Sequence, residues 1–335
     1  MPRGADPRLS VIVPLYGGLA LTQAMVASLR ATLPREIPHE IILVDDGSTD
    51  GTREWLATLA PPCRVILNPG NLGYAEANNR GAAGARGELL ALLNNDLVLT
   101  PHWLEPMLAA HRRLGPRAGV VGNVQLSART GEVDHAGIFI NWKGKPEHCR
   151  RGAGPLARLF RPDRSVVAVT GACFLIARSL WRELGGFDSG YRNGGEDVDL
   201  CFRAAAAGRR HLVARRSRVL HHVSSAPGRK ARDEANTYRL VEQWHDTIVR
   251  LGRDDWCRHH FETFLPEPRD FPDPALARQV ALYLLGLRVN PPAGATAGMR
   301  QTVATELARW QQMFAGDPSR LARSPERPPA AAGSG

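Results

Sequence analysis

The residues in this chain best able to do chemistry fall in three places: Asn94-Asn95-Asp96, Glu196-Asp197 and His221-His222. A carboxylate with two amide oxygens beside it can bind a hard cation, and a cation there could hold phosphates. An Asn-rich turn that caps a strand has the same composition. Two acids at the start of a helix, next to the glycine loop Asn193-Gly194-Gly195, either cap the helix and complement its dipole or serve as proton acceptors. Neutral imidazole is a good ligand for Mn2+ and a poorer one for Mg2+, although a histidine at a strand end is more often structural.

The elements that must position these groups can be read from the pattern. Residues 88–96 put five consecutive apolar residues ahead of the Asn-Asn-Asp triplet, as expected of a central strand in a parallel sheet with both faces covered. Such a strand delivers its carboxyl end to a ligand crevice. Residues 9–15 form an earlier strand that Pro14 is expected to end, because proline cannot donate to a ladder. Residues 40–44 and 64–67 read as two more strands, the first stopping at Asp45-Asp46. Helices are expected after Gly17-Gly18, after Asp50 with Thr49 or Asp50 as cap, and over 75–85. This alternation is that of a doubly wound parallel sheet. Thr100-Pro101 predicts a further helix start, and residues 166–169 a core strand. Val198, Cys201, Phe202 and Ala205 predict a helix from Asp197, with an Asp199–Arg203 pair on its side. Residues 217–220 predict a strand that ends at the histidines, only one of which should face inward.

Composition bounds the rest. The 335 residues suffice for one large α/β domain with an appendage. Lys and Arg outnumber acids 43 to 33, a net charge of +10 that favours anionic partners. The five cysteines, Cys63, Cys149, Cys173, Cys201 and Cys257, have no zinc spacing and read as reduced, buried thiols. No signal-peptide pattern opens the chain, and its longest apolar run, 166–177, is too short to span a bilayer. The expectation is a cytoplasmic protein that touches the inner face of a membrane peripherally through basic side chains. Residues 209–232 carry eight Arg or Lys and no acid. They form a solvated surface or a contact for donor phosphate or anionic lipid, with Arg229 and Lys230 on a loop. Nucleic acid is not expected, because no recognition motif accompanies the charge.

Pro14-Leu15-Tyr16, Asp45-Asp46 and Asn94-Asn95-Asp96 would share one edge of a parallel sheet. Converging carboxylates there suit a base, a ribose and a metal-bound diphosphate. The first turn, Leu15-Tyr16-Gly17-Gly18-Leu19-Ala20, lacks the dinucleotide Gly-x-Gly-x-x-Gly, and the chain has no P-loop.

VIVPLY, VDDGSTDGT, NLGYAEANNRG and LLNND resemble the donor-binding half of family-2 glycosyltransferases, and the likeness continues through VTGACFLIAR, LGGFD, GEDVDLCFR and HHVSSAPG. Bacterial rhamnosyltransferase-like enzymes that build surface polysaccharides are the nearest in kind. The resemblance implies an A-type glycosyltransferase fold, in which a Rossmann-like nucleotide-binding sheet is extended by an acceptor-binding half. It also implies inverting transfer. Pro14, Leu15 and Tyr16 would line the base pocket, Asp45 would accept from base or ribose, and Asp46 would support that loop. Asn71, Gly73, Asn78 and Asn79 lie where the family closes over the nucleotide. Asn94-Asn95-Asp96 occupies the Asp-x-Asp metal motif, with Asn94 in place of an acid, so Asp96 is the triplet's sole anionic ligand. His221, with His222 second, would complete the site for Mn2+ or Mg2+. Gly171 and Ala172 lie near the donor sugar. Asp197 becomes the general base, with Glu196 beside it.

The expected domains are a disordered 1–8, a catalytic domain over 9–232, a helical appendage over 233–315 and a disordered 316–335. The appendage has a linker at 266–274 and would cover the acceptor groove or mediate a homodimer. Trp142, near His135 and Lys143, would stack on an acceptor sugar or simply pack. Three functions compete. The first is metal-dependent transfer from a UDP or dTDP sugar to a hydroxyl on a saccharide, lipid-linked or protein-linked acceptor. The second is non-catalytic nucleotide-sugar binding, motivated by Asn94. The third, nucleotidyl transfer, needs a Gly-rich basic loop that LYGGLALTQ does not supply.

Overall fold

Strand β1 (Leu9–Leu15) is buried along its whole length, as its largely apolar sequence requires. In the computed structural model, which describes residues 7–150, 163–222, 233–266 and 272–315, it leads into α1 (Leu19–Thr32), β2 (His39–Asp45), α2 (Thr52–Leu56), β3 (Cys63–Leu67), α3 (Tyr74–Ala83) and β4 (Leu89–Leu93). β1 pairs in parallel with β2 and β4, and β2 with β3. Pro14 does not end β1. Its partner in β2 is Val44, while the β1–β4 register stops at Ile12, so the missing N–H falls where one side of the ladder is already over.

The chain continues through β5 (Leu97–Leu99), α4 (Glu105–Leu114), β6 (Ala118–Ser127), β7 (Val133–His135), β8 (Ile138–Ile140), β9 (Pro146–His148), β10 (Asp163–Val166) and β11 (Cys173–Ala177). α5 (Arg178–Leu184), α6 (Glu196–Ala206) and β12 (Arg210–His221) follow. Among the described residues the main sheet has ten strands. Its path is β10-β12-β6-β11-β4-β1-β2-β3, with β5 on β12 and β7 on β6. β11 runs antiparallel to β4 and β6, and β12 runs parallel to β6. The sheet is therefore mixed, yet β1, β2, β3, β4, β6 and β12 all point their carboxyl ends to one edge. Trp103, Met107, Met25, Leu29 and the inner face of β4 belong to one core beneath that edge.

Two local expectations are corrected. Thr100 does not cap α4: its hydroxyl donates to the Arg218 carbonyl, and the helix starts at Glu105 after a turn. Residues 166–169 are not one strand, because β10 ends at Val166 and β11 begins at Cys173.

Four helices follow, α7 (Asp233–Gln243), α8 (His245–Phe264), α9 (Pro274–Leu284) and α10 (Ala293–Ala315). They form a second compact unit that also takes in residues 139–147, the turn of the β8–β9 hairpin. The sequence placed this stretch in the catalytic domain. Gly144 sits so close to Val303 and Ile248 that a Cβ there would meet them at 2.9 and 3.3 Å. Trp142 stacks on His259 with centroids 3.8 Å apart and carries the Lys143 ammonium over its ring, so it packs rather than offering a sugar platform. Lys145 Nζ lies 3.2 Å from Glu234, which also binds Arg309 and the Trp310 indole. No helix among the described residues is long and apolar enough to cross a membrane. Of the expected disordered termini, residues 1–6 and 316–335 lie outside the described residues, as do the Arg229–Lys230 loop and much of the 266–274 linker, while Arg8 N–H donates to the Pro38 carbonyl.

Candidate active site

Asp96 and His221 are neighbours because of β5, a three-residue strand absent from the sequence reading. β5 pairs antiparallel with the end of β12, in the register His221↔Leu97. The Asp96 carbonyl accepts from His222 N–H at 2.9 Å. That pairing turns His221 inward, 5% exposed, and leaves His222 exposed. His221 Nε2 lies 3.4 Å from Asp96 Oδ1, and Nδ1 lies 3.4 Å from Asp134 Oδ2. These are ion-pair distances without hydrogen-bond alignment. Both ring nitrogens, Asp96 Oδ1 and Asn94 Oδ1 are buried with no hydrogen-bond partner among the described residues.

Such orphaned acceptors fit a divalent cation. An octahedral ion with oxygen donors at about 2.1 Å places adjacent donors about 3 Å apart, close to the Asp96–His221 spacing. No cluster of three or more His, Cys, Asp or Glu that could hold a metal occurs among the described residues. Asp96 and His221 would thus share the ion with donor phosphate rather than cage it. Asn95 is no part of that pair: its amide donates to the Thr22 hydroxyl at 2.9 Å and toward the Gly17 carbonyl at 3.4 Å, binding the strand end to the first turn.

Asp197, on the first turn of α6, reaches the same edge. Its Oδ2 accepts from Gly171 N–H at 2.7 Å and Oδ1 from Val198 N–H at 2.8 Å. The next residue, Ala172, takes the Asn94 N–H at its carbonyl, 2.9 Å. One short loop therefore links the helix carrying Asp197 to the end of β4. A Cβ at Gly171 would stand 3.0 Å from the Tyr74 hydroxyl, which donates to the Gly171 carbonyl at 2.8 Å, so a larger residue would press on that bond. Desolvation raises the Asp197 pKa above the ordinary carboxylate value, against the Gly171 N–H and the nearby His148, which lower it. Burial, reinforced by Glu196 and Asp197, keeps Tyr74 protonated, its pKa raised well above normal. Glu196 accepts from Gly194 N–H at 2.8 Å and so shapes the glycine loop.

The β2 end is organised by its two acids. Asp45 is fully buried and accepts from Gly47 and Ser48 N–H groups and from Arg53 Nε at 2.6 Å. Asp46 accepts from Asn68 Nδ2 and from the N–H groups of Leu72 and Gly73. Gly47, at φ +91°, lies against residues 70–71, where a Cβ would meet backbone at 2.8 Å. Asn71 accepts from Gly73 N–H. Asn78 is buried and donates to the Tyr74 carbonyl. Asn79 spends its amide on both backbone groups of Phe187 and so braces α3 instead of facing a nucleotide. Pro14 and Leu15 are buried in β1, and Tyr16 alone of that trio is exposed, at 63%.

Sequence reasoning missed Asp134 and gave His135 no part in this site. His135, buried beside Gln125 in the β6–β7 register, accepts from Gly137 N–H and Thr170 N–H through Nε2. Burial, aided by His148 and His221, lowers its pKa well below normal and holds it neutral. The available signal was Asn123 and Gln125 at alternate positions of an apolar strand, one buried face carrying amides.

Comparisons with known proteins identify the family and the fold. The sequence pattern of the family "Glycosyl transferase family 2" matches residues 10–185. The O-antigen biosynthesis protein RfbC of Myxococcus xanthus is 34% identical over 72% of this chain, which spans 20% of RfbC. The N-acetylglucosaminyl-diphospho-decaprenol L-rhamnosyltransferase of Mycobacterium tuberculosis is 32% identical over 66% of this chain and 78% of its own length. Among solved structures, GalNAc-T7 with UDP, GalNAc and Mn2+ superposes with a TM-score of 0.58 at 20% identity, covering 82% of this chain and 54% of its own. The mannosyltransferase PcManGT from Pyrobaculum calidifontis, in complex with GDP-Man and Mn2+, gives 0.51 at 18%, covering 91% and 88%. With the pattern matched over more than half of its residues, the chain belongs to glycosyl transferase family 2.

Proposed function

We propose that this chain transfers a sugar, with inversion, from a nucleoside-diphosphate donor to a hydroxyl acceptor in polysaccharide or glycoconjugate synthesis. The observation that carries this reading is the loop joining Asp197, through Gly171 and Ala172, to Asn94 at the strand end bearing Asp96. It places a desolvated carboxylate and the Asp96–His221 pair on one sheet edge. In this reading Asp197 takes the acceptor hydroxyl's proton as that oxygen bonds to the anomeric carbon. The bond from that carbon to phosphate breaks, and its electrons leave with the diphosphate. A divalent cation, Mn2+ or Mg2+, held by Asp96 and His221 would neutralise the departing charge. Tyr16 offers a ring to the base. Asp45 and Asp46 hold the surrounding loops, and a uracil or thymine N3–H against this acidic strand end favours UDP or dTDP donors.

The name of the mycobacterial relative supports a lipid-diphosphate-linked saccharide as acceptor, which this chain would meet at the inner face of a membrane. The second unit carries a surface for that encounter. Leu285, Leu287 and Val289 are 73, 74 and 91% exposed, and residues 274–305 contain three arginines and no acid. Arg278, Leu282 and Leu285 recur at helical spacing on one exposed side of α9 and its end. Co-sedimentation with anionic vesicles, weaker with neutral ones and lost in Leu285→Ser/Leu287→Ser, is the expected result. A doubled mass in solution without vesicle binding would assign the surface to a homodimer instead.

Release of nucleoside diphosphate from a panel of UDP, dTDP and GDP sugars, with and without Mn2+, tests the central reading. Metal-stimulated turnover is expected. Donor binding with no turnover under any condition would favour the non-catalytic alternative that Asn94 motivates.

A further inference from the structure

We propose that Asp134 is the positioning residue for His221, fixing its ring orientation and tautomer so that Nε2 faces the cation beside Asp96. The inference rests on the metal-dependent reading above. The His221 imidazole stands between two carboxylates, with Asp96 Oδ1 3.4 Å from Nε2 and Asp134 Oδ2 3.4 Å from Nδ1. The ring is buried, the side chains of Asp96 and Asp134 are 11 and 19% exposed, and neither nitrogen has a hydrogen-bond partner among the described residues. Two carboxylates cannot both accept from a neutral imidazole, which carries one N–H. With the N–H at Nδ1, directed to Asp134, Nε2 presents its lone pair toward Asp96. The opposite tautomer would put a proton where the ligand atom must be.

The fold assigns Asp134 this place independently of the metal. β7 is a three-residue strand whose pairing with β6 aligns His135 with Gln125 and Val133 with Leu126. β12 lies along β6 in the register His221↔Ser127. Asp134 is thus delivered to the ring by strand pairing. The next residue, His135, holds Thr170, the neighbour of the Gly171 that binds Asp197. One short strand serves both halves of the site. A carboxylate behind a metal-bound histidine raises its basicity and fixes its ring, and removing such a partner costs about 10–100-fold in metal affinity.

The test is Mn2+ binding followed by the electron paramagnetic resonance of free Mn2+, for Mn2+ alone and with inorganic pyrophosphate. It compares the parent with Asp134→Asn, Asp134→Glu, His221→Ala and Asp134→Asn/His221→Ala. Asp134→Asn is expected to weaken binding about 10–100-fold, Asp134→Glu to recover part of the loss, and the double variant to match His221→Ala. In metal-free protein, 15N NMR of the His221 ring is expected to show the Nδ1–H tautomer in the parent and its depletion in Asp134→Asn. A purely structural role would lower the melting temperature without changing the tautomer. The assignment is overturned if Asp134→Asn binds Mn2+ within twofold of the parent, or loses the same factor with and without His221. If Asp96→Ala and His221→Ala also titrate like the parent, the metal site itself is wrong, and the inference falls with it.

Discussion

The two compact units treat their acids in opposite ways. In the helical unit, half-exposed Glu234 is fully paired: Lys145, Arg309 and the Trp310 indole all reach its carboxylate. Burial alone would raise its pKa, but those partners prevail and lower it to about 2. At the sheet edge, Asp96 Oδ1, Asn94 Oδ1 and both His221 nitrogens are buried with no hydrogen-bond partner among the described residues, and Asp197 is shifted upward by desolvation. A buried polar atom without a partner costs about 1–3 kcal/mol. Four such atoms gathered at one strand edge leave that edge ready to receive a ligand.

Asp197→Asn should break the functional side of this contrast most severely. Transfer should fall about 10²–10⁴-fold, the usual contribution of a positioned base, while donor affinity measured by calorimetry stays near the parent value. The same variant should unfold at an equal or higher temperature, because ionised Asp197 is the disfavoured form in the fold. His221→Ala should come next. A donor at a hundred times its dissociation constant stabilises a protein by about 2.7 kcal/mol, and the Mn2+-dependent part of that thermal shift should disappear.

Acidification sharpens the comparison. Activity should decline as the pH falls through the raised Asp197 value, since the base must be ionised, and protonation there relieves the fold of a cost. Glu234 has the opposite sign. Its contribution is fully present above the ordinary glutamate value of 4.5 and is lost as the pH falls toward about 2. A rate profile and a melting profile taken over the same range should therefore separate, with rate lost first. The smallest effect is expected of Glu234→Gln. Its side chain is 45% exposed, so screening limits the loss to about 1 kcal/mol. That loss should be read in the melting temperature, with turnover at low temperature unchanged.

The sheet was legible wherever a strand is apolar on both faces. β1, β2 and β4 announce themselves by composition, and Asp45, Asp96 and Asp197 stand at ends that periodicity alone locates. The Asp199–Arg203 pair followed from helical spacing and is present at 2.7 Å. What sequence did not carry was long-range register. β5 and β7 are three residues each, too short for any period to show, yet they bring Asp96 and Asp134 to His221. Asn79 and Asn95 look like ligand residues by type, and only the coordinates reveal that their amides bind Phe187 and Thr22. Pro14 misled because a rule for central strands was applied where one neighbour had already left the ladder.

The hairpin turn at 139–147 has a practical corollary for anyone dissecting this molecule. A fragment cut at residue 232 would keep Trp142, Gly144 and Lys145 but discard His259, Val303 and Glu234, against which they are packed or paired. The helices are thus no detachable tail. Residues 139–147 of that unit, lodged upstream in the β8–β9 hairpin, make a clean excision impossible without rebuilding that turn.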